Sequence, residues 1–130
     1  MAFASKADRD AIENEMAWED RDLPVTMYDF ITSTKDRFPE RPAVSFQILS
    51  GPKDKAETLS WSAFHARSMQ AANMFRDMGI GPDDTVAYIL PICHEASVTL
   101  IGGMIAGIAN PINPLLEPEQ IAGILRETNA

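Results

Sequence analysis

Hydrophobic and polar positions fall into runs of two periods. Phe30, Ile31, Thr34 and Phe38 share one helical face, behind a Thr26-x-x-Asp29 start. The threonine hydroxyl there accepts from an orphan backbone N–H, and the aspartate favours the positive helix end. Pro39 and Pro42 stop that helix. Val44, Phe46 and Ile48 then alternate with Ser45 and Gln47, the period of a strand with one buried face. Gly51-Pro52-Lys53-Asp54 predicts a turn, and Glu57 to Leu59 a returning strand.

The next run returns to helical spacing. Phe64, Ser68, Ala71, Ala72, Phe75 and Met78 make an inner stripe, capped by Ser60 or Ser62. Gly79 stands where a helix-ending glycine belongs, with Ile80 folding back on the last turn. After a loop at Gly81-Pro82-Asp83-Asp84, Thr85 to Leu90 lacks polar alternation apart from Tyr88, as a strand covered on both faces would. Pro91 ends it. A glycine-bearing apolar helix follows from His94 to Ile108, then a short strand, Asn110 to Ile112. Pro118 fits the first turn of a last helix whose buried side is Ile121, Ile124 and Leu125. Thr128-Asn129-Ala130 falls where a further strand would begin.

Strand, apolar helix, strand is the order of a crossover unit in a parallel sheet. The expected fold class is α/β: a short parallel sheet with covering helices, plus a small hairpin. Two segments are expected. Residues 1–22 hold seven acids (Asp8, Asp10, Glu13, Glu15, Glu19, Asp20, Asp22) against Lys6, Arg9 and Arg21, a solvated acidic arm rather than core. Residues 23–130 form an incomplete α/β subdomain.

Composition narrows the classes further. The 130 residues are 45% hydrophobic and 23% charged, enough for one modest core. A formal net charge of -8 argues against nucleic acid or an anionic membrane as partner. Ala96 to Leu116 is an uncharged run of 21 residues, close to a membrane span in length. Asn110, Pro111, Asn113 and Pro114 interrupt it, so a buried helix and strand are expected and no transmembrane segment. One cysteine, Cys93, excludes an intrachain disulfide, and with seven methionines suits a reducing cytoplasm. Acids by position 8 and no apolar h-region argue against a signal peptide.

Candidate chemistry is sparse. Gly79-Ile80-Gly81 closes a helix and precedes a strand, the reverse of a phosphate loop. In Ser50-Gly51-Pro52-Lys53, proline lacks the N–H that such a loop needs. Cys93, His94 and Glu95 are consecutive, so on a helix they point about 100° apart and do not converge. A zinc site wants three or four spaced ligands, and the only other histidine is His65. Gly103-x-x-x-Gly107 predicts close helix–sheet packing, and Pro118 to Glu127 an amphipathic cover helix. No catalytic, cofactor-binding or metal-binding residue is assigned.

Four passages, in order, resemble adenylate-forming enzymes, the AMP-binding acyl-CoA synthetase superfamily. They are Pro39-Glu40-Arg41-Pro42-Ala43-Val44, Thr58-Leu59-Ser60-Trp61-Ser62-Ala63-Phe64, Gly79-Ile80-Gly81-Pro82-Asp83-Asp84-Thr85-Val86-Ala87, and Ile105-Ala106-Gly107-Ile108-Ala109-Asn110-Pro111-Ile112-Asn113-Pro114. Trp61 and Ala63-Phe64 stand where the family usually has Tyr and Glu-Leu. Asn113-Pro114 resembles acyl-CoA synthetases more than amino-acid-activating domains, which commonly have Asp-Pro.

The resemblance implies an N-terminal portion of a fatty-acid–CoA ligase. In the parent a carboxylate attacks the α-phosphate of ATP, releasing pyrophosphate. Coenzyme A then displaces AMP from the acyl-adenylate. ATP, magnesium, coenzyme A and a carboxylic acid are implied for the parent, and none for this stretch. The phosphate loop, the magnesium-binding Thr-Glu pair, the ribose Asp and the late Lys lie beyond the matched part, so the chain alone is expected to be inactive. Asn110 to Pro114 would brace the substrate half. An open sheet edge predicts self-association. Two other classes are a stand-alone interaction module docking through that edge and a small redox thiol protein.

Overall fold

A computed structural model describes residues 5–49, 51 and 53–130. Its helices are α1 (Lys6–Glu13), α2 (Met27–Arg37), α3 (Trp61–Asp77), α4 (His94–Ala106) and α5 (Pro118–Glu127). Its strands are β1 (Pro42–Phe46), β2 (Glu57–Ser60), β3 (Thr85–Tyr88) and β4 (Ile108–Pro111), and a 3₁₀ turn spans Trp18–Asp20. Ser5 caps α1, accepting from the Asp8 N–H at 3.3 Å, and none of that helix is buried. Ser50 and Pro52, half of the expected hairpin turn, lie outside the described residues.

The two expected sheets form. β1 and β2 pair antiparallel, with a bulge between Pro42 and Val44, and β3 and β4 pair parallel with Val86 opposite Ala109. Helix α4 covers one face of the parallel pair, where Val86 is buried together with Phe75 and Ala106. Helix α3 packs along α4. Thr128, capping α5, accepts from the Asn110 Nδ2 amide at 3.2 Å.

Capping chemistry fixed several boundaries. Thr26 Oγ1 accepts from the Asp29 N–H at 3.1 Å, and Ser60, not Ser62, caps α3 through the Ala63 N–H at 3.3 Å. At the end of α3, Gly79 takes φ +95°. The Ile80 N–H then donates to Phe75 O at 3.0 Å and the Gly79 N–H to Arg76 O at 2.9 Å. Ile80 packs on the Phe75 cluster, completing the paired closure with its apolar contact.

Other positions differ from expectation. Helix α4 stops at Ala106 and β4 starts at Ile108, two residues early, because Gly107 is extended and the Ile108 N–H pairs with Asp84 O at 2.9 Å. Thr128 to Ala130 do not open a strand. Asn129 sits at φ 52°, and the Ala130 N–H returns to Leu125 O at 3.1 Å, the same closure as on α3. Ile31 alone of the expected α2 face is buried. Phe30 is half exposed, and Phe38 is half-buried with the guanidinium groups of Arg37 and Arg41 over its ring, 5.1 and 4.7 Å from its centroid. Strand β1 ends before Ile48, which is exposed, because the Gln47 side chain donates to Gly51 O and Asp54 O and folds the loop on itself. Met78 is the exposed cap residue of α3 rather than part of its stripe. Ile89, expected in a strand covered on both faces, lies past the end of β3 and is 46% exposed. The described residues include no helix long and apolar enough to cross a membrane.

Candidate functional site

The glycines are the densest local feature, and backbone contact explains three of them. A Cβ on Gly103 would meet Ala109 Cβ at 3.2 Å and Val86 Cβ at 3.6 Å, so this residue sets the distance between α4 and the sheet. A Cβ on Gly107 would lie 2.5 Å from Asp84 O and 2.6 Å from Gly81 O. The predicted close helix–sheet packing is what the pair provides. Gly102 is a residue that sequence reasoning misses. Its Cβ would fall 2.6 Å from Ala71 Cβ, so it sets the α3–α4 distance. The adjacent Gly102-Gly103 pair was the available signal: one glycine for each neighbour of α4.

These close approaches do not suit a phosphate. The nearest atoms around Gly107 are carbonyl oxygens, which repel an anion, whereas phosphate cradles present N–H groups. The loop before β3 is closed internally: the Gly81 N–H donates to Asp84 Oδ2 at 2.7 Å and the Asp84 N–H to Gly81 O at 3.1 Å. Gly51 and Asp54 repeat that exchange at 2.9 and 3.1 Å. The shared Gly-Pro-x-Asp pattern was the readable signal for both loops.

The consecutive Cys93, His94 and Glu95 do not converge as a triad. Glu95 is exposed in the first turn of α4, two residues past the half-buried Cys93 thiol. A bond from the Glu95 backbone N–H and then that thiol hold the carboxyl below its usual range, with smaller pulls from His94 and Arg67. His94 turns the other way and is buried at 6% exposure, its ring edge-on to Phe46 with centroids 6.2 Å apart. Its Nδ1 lies 4.0 Å from the exposed Glu57 carboxylate, and its buried Nε2 has no hydrogen-bond partner. His65 is elsewhere, between α2 and α3, where Nε2 pairs with Thr32 Oγ1 at 3.0 Å. Burial, then the Lys35 ammonium, lower its pKa, against a smaller upward pull from Asp36. Burial also raises the pKa of Tyr88, whose hydroxyl reaches Ala96 O at 3.5 Å. Among the described residues no three of His, Cys, Asp and Glu group to hold a metal ion.

Asn110 to Pro114 form the exit of β4. The Ile112 N–H still pairs with Tyr88 O at 2.9 Å. The Asn113 side chain then accepts from the Leu115 N–H at 3.0 Å and turns the chain away. This geometry is a crossover joint, and its polar side chains are spent on backbone and on α5.

The joint lies inside a stretch shared with known proteins. The family model described as "AMP-binding enzyme" matches residues 31–130, and the chain belongs to that family. It is 31% identical over 103 residues to the marinolic acid–CoA ligase of Pseudoalteromonas sp., covering 79% of this chain and 16% of that protein. It is 30% identical over 116 residues to a long-chain-fatty-acid–AMP ligase of Mycobacterium marinum, covering 82% of this chain and 19% of that protein. The crystal structure of the nonribosomal peptide synthetase FmoA3 superposes with a TM-score of 0.71 at 20% identity, over 97% of this chain and 13% of the other. That likeness carries the fold. The chain thus spans under a fifth of the length of these relatives.

Proposed function

We propose that the chain is the N-terminal portion of an ATP-dependent acyl-CoA synthetase acting on a fatty acid, and that it has no catalysis of its own. The observation that carries this reading is the β3–α4–β4 joint, built on Gly103 and Gly107, within a stretch 31% identical to a CoA ligase. The 30% identity to a long-chain-fatty-acid–AMP ligase supports an aliphatic acid. In the parent, ATP, magnesium and coenzyme A serve activation and thioester formation. The residues here do not fit those groups: carbonyl oxygens surround the tight glycine, and the described residues offer no metal-ligand cluster. In this reading the chain contributes structure and the parent's other parts contribute the chemistry. Its part is mechanical, holding α4 against the sheet and directing the chain out at Asn113. A single thiol and seven methionines support a cytoplasmic location. The unpaired outer edges of β3 and β4 support self-association of the isolated chain.

Pyrophosphate release tests the assignment. The complete reading frame, given ATP, magnesium, coenzyme A and a series of fatty acids, should release pyrophosphate and form thioester. The 130-residue chain alone should release none. Release by the isolated chain would overturn its inactivity, and a complete protein that activates amino acids but no fatty acid would overturn the substrate class.

A further inference from the structure

We infer that the basic turn at residues 37–41 of one copy of this chain docks the acidic turn at residues 15–22 of a second copy. The basic side is built by local structure. Arg37 is the last residue of α2. Phe38-Pro39-Glu40-Arg41 then makes a tight turn with proline at its second position, closed by the Arg41 N–H to Phe38 O at 3.2 Å. The start of α3 locks that turn, as the Ser62 N–H donates to Pro39 O at 2.9 Å and the Trp61 N–H to Arg41 O at 3.0 Å. Both guanidinium groups stand over the Phe38 ring, at 5.1 and 4.7 Å, so one aromatic ring gathers two cations. Among the described residues neither guanidinium has a hydrogen bond or an ion pair. Asp36 is paired with Lys35, and Glu40 pairs with neither arginine, so the turn keeps a net positive charge and unspent N–H donors.

The complementary surface is on the same chain. Glu15, Glu19, Asp20 and Asp22 form no ion pair among the described residues, whereas Asp10 and Glu13 pair with Arg9. The one base among them, Arg21, is spent inward: its Nη2 donates to Ile12 O at 2.7 Å and to Met16 O at 3.2 Å. Those bonds and the 3₁₀ turn at Trp18–Asp20 hold the acids on a formed loop, so contact costs little further ordering. Trp18 stands 72% exposed among them, and its ring face attracts a guanidinium. The arginine fork matches a carboxylate with two parallel N–H bonds. Two copies of net charge -8 repel each other as wholes, so a local match has to join them. At about 0.1 M salt charges act over about 10 Å, which screens whole-molecule repulsion more than pairs in contact. Neither turn belongs to the β3 or β4 edge, so the contact is distinct from edge pairing, and it does not rest on the proposed function.

The test is a dilution series of the isotope-labelled full chain, read by two-dimensional amide NMR at about 0.1 M salt. Residues 15–22 and 37–41 should shift together as the chain is concentrated. At about 1 M salt, where charges act over about 3 Å, those shifts should fall at least threefold. Arg37→Glu with Arg41→Glu sets like charges across the contact, and so does Glu19→Lys with Asp20→Lys in a second chain. Each double variant alone should lose the shifts. Unlabelled chain of the second, added to labelled chain of the first, brings opposite charges together again and should restore them. Each variant's own spectrum reports whether it is folded, and the wild-type dilution and salt series decide the matter without the variants. No shift at either turn, shifts at one turn without the other, shifts confined to β3 and β4, shifts undiminished at high salt, shifts kept by a folded variant alone, or no restoration on mixing folded variants would each overturn the inference.

Discussion

Gly107 is the residue on which the joint turns. A methyl group there would press on two backbone carbonyls, at 2.5 and 2.6 Å, and neither can swing away as a side-chain tip could. Gly107→Ala should therefore move α4 or the 81–84 loop, at a cost of about 1–3 kcal/mol for forced overpacking. Urea unfolding should report a lower midpoint, and an unchanged midpoint would show that the contact relaxes freely. His65 makes a separate case, one of pH. Burial and Lys35 lower its folded pKa below the ordinary 6.5, so the folded chain binds fewer protons than the unfolded chain. Its stabilising contribution is complete above pH 6.5 and fades as pH falls through the lowered value. A protonated Nε2 still donates to Thr32 Oγ1, so the loss is gradual. Midpoints measured from pH 7 to 5 should fall in the wild type, and the slope should flatten in His65→Gln. Equal slopes would assign the acid sensitivity to other groups.

At the scale of elements, what the sequence revealed depended on whether a boundary was local. The threonine and serine caps of α2 and α3, and the glycine closure at Gly79, rest on residues within one turn, and they formed as read. The parallel pairing of β3 and β4 was also legible, because only one crossover fits an apolar helix between two short strands. Boundaries decided by a distant partner were not. Gly107 became extended because Asp84 O awaits the next N–H, and Phe38 left the core for two arginines. Asn129 adopted the role of Gly79 without being glycine, so a strand was expected where a helix closes. At the candidate site, the divergence of the consecutive Cys93, His94 and Glu95 was legible from helix geometry, His94 being buried and Glu95 exposed. The burial of His94 against the hairpin had no local signal, since it depends on β1 and β2 lying over the start of α4. Helix α5 supplies the test at this scale. Gly123 lies in its interior, and a methyl group there would meet nothing within 4 Å, so its freedom serves no contact. Gly123→Ala should stabilise by about 0.5–1 kcal/mol through helix propensity alone. A loss of stability would reveal a neighbour that needs the gap.

At the scale of the molecule, the chain is two small sheets joined by helices, and neither sheet is closed. Among the described residues β3 and β4 each pair on one side, so each presents a row of backbone N–H and C=O groups on the other. Ile108 is 52% exposed on β4, and Ile92 and Leu115, beyond the strand ends, are 88% and 87% exposed. Unpaired edges beside apolar side chains favour association, which gains hydrogen bonds and buries apolar surface together. A net charge of -8 opposes it, and the opposition weakens as salt screens charge over about 10 Å at 0.1 M. The two terms predict a specific salt dependence for the self-association proposed above. Sedimentation velocity of the isolated chain should show a concentration-dependent shift from monomer to larger species, enhanced between about 0.05 and 0.5 M salt, where screening changes most. Ile108→Lys places a charge on the β4 edge and should return the monomer. A chain that stays monomeric at high concentration and high salt would mean that its edges are already protected by their short length, and the proposal of association would fail while the fold and the family assignment stand.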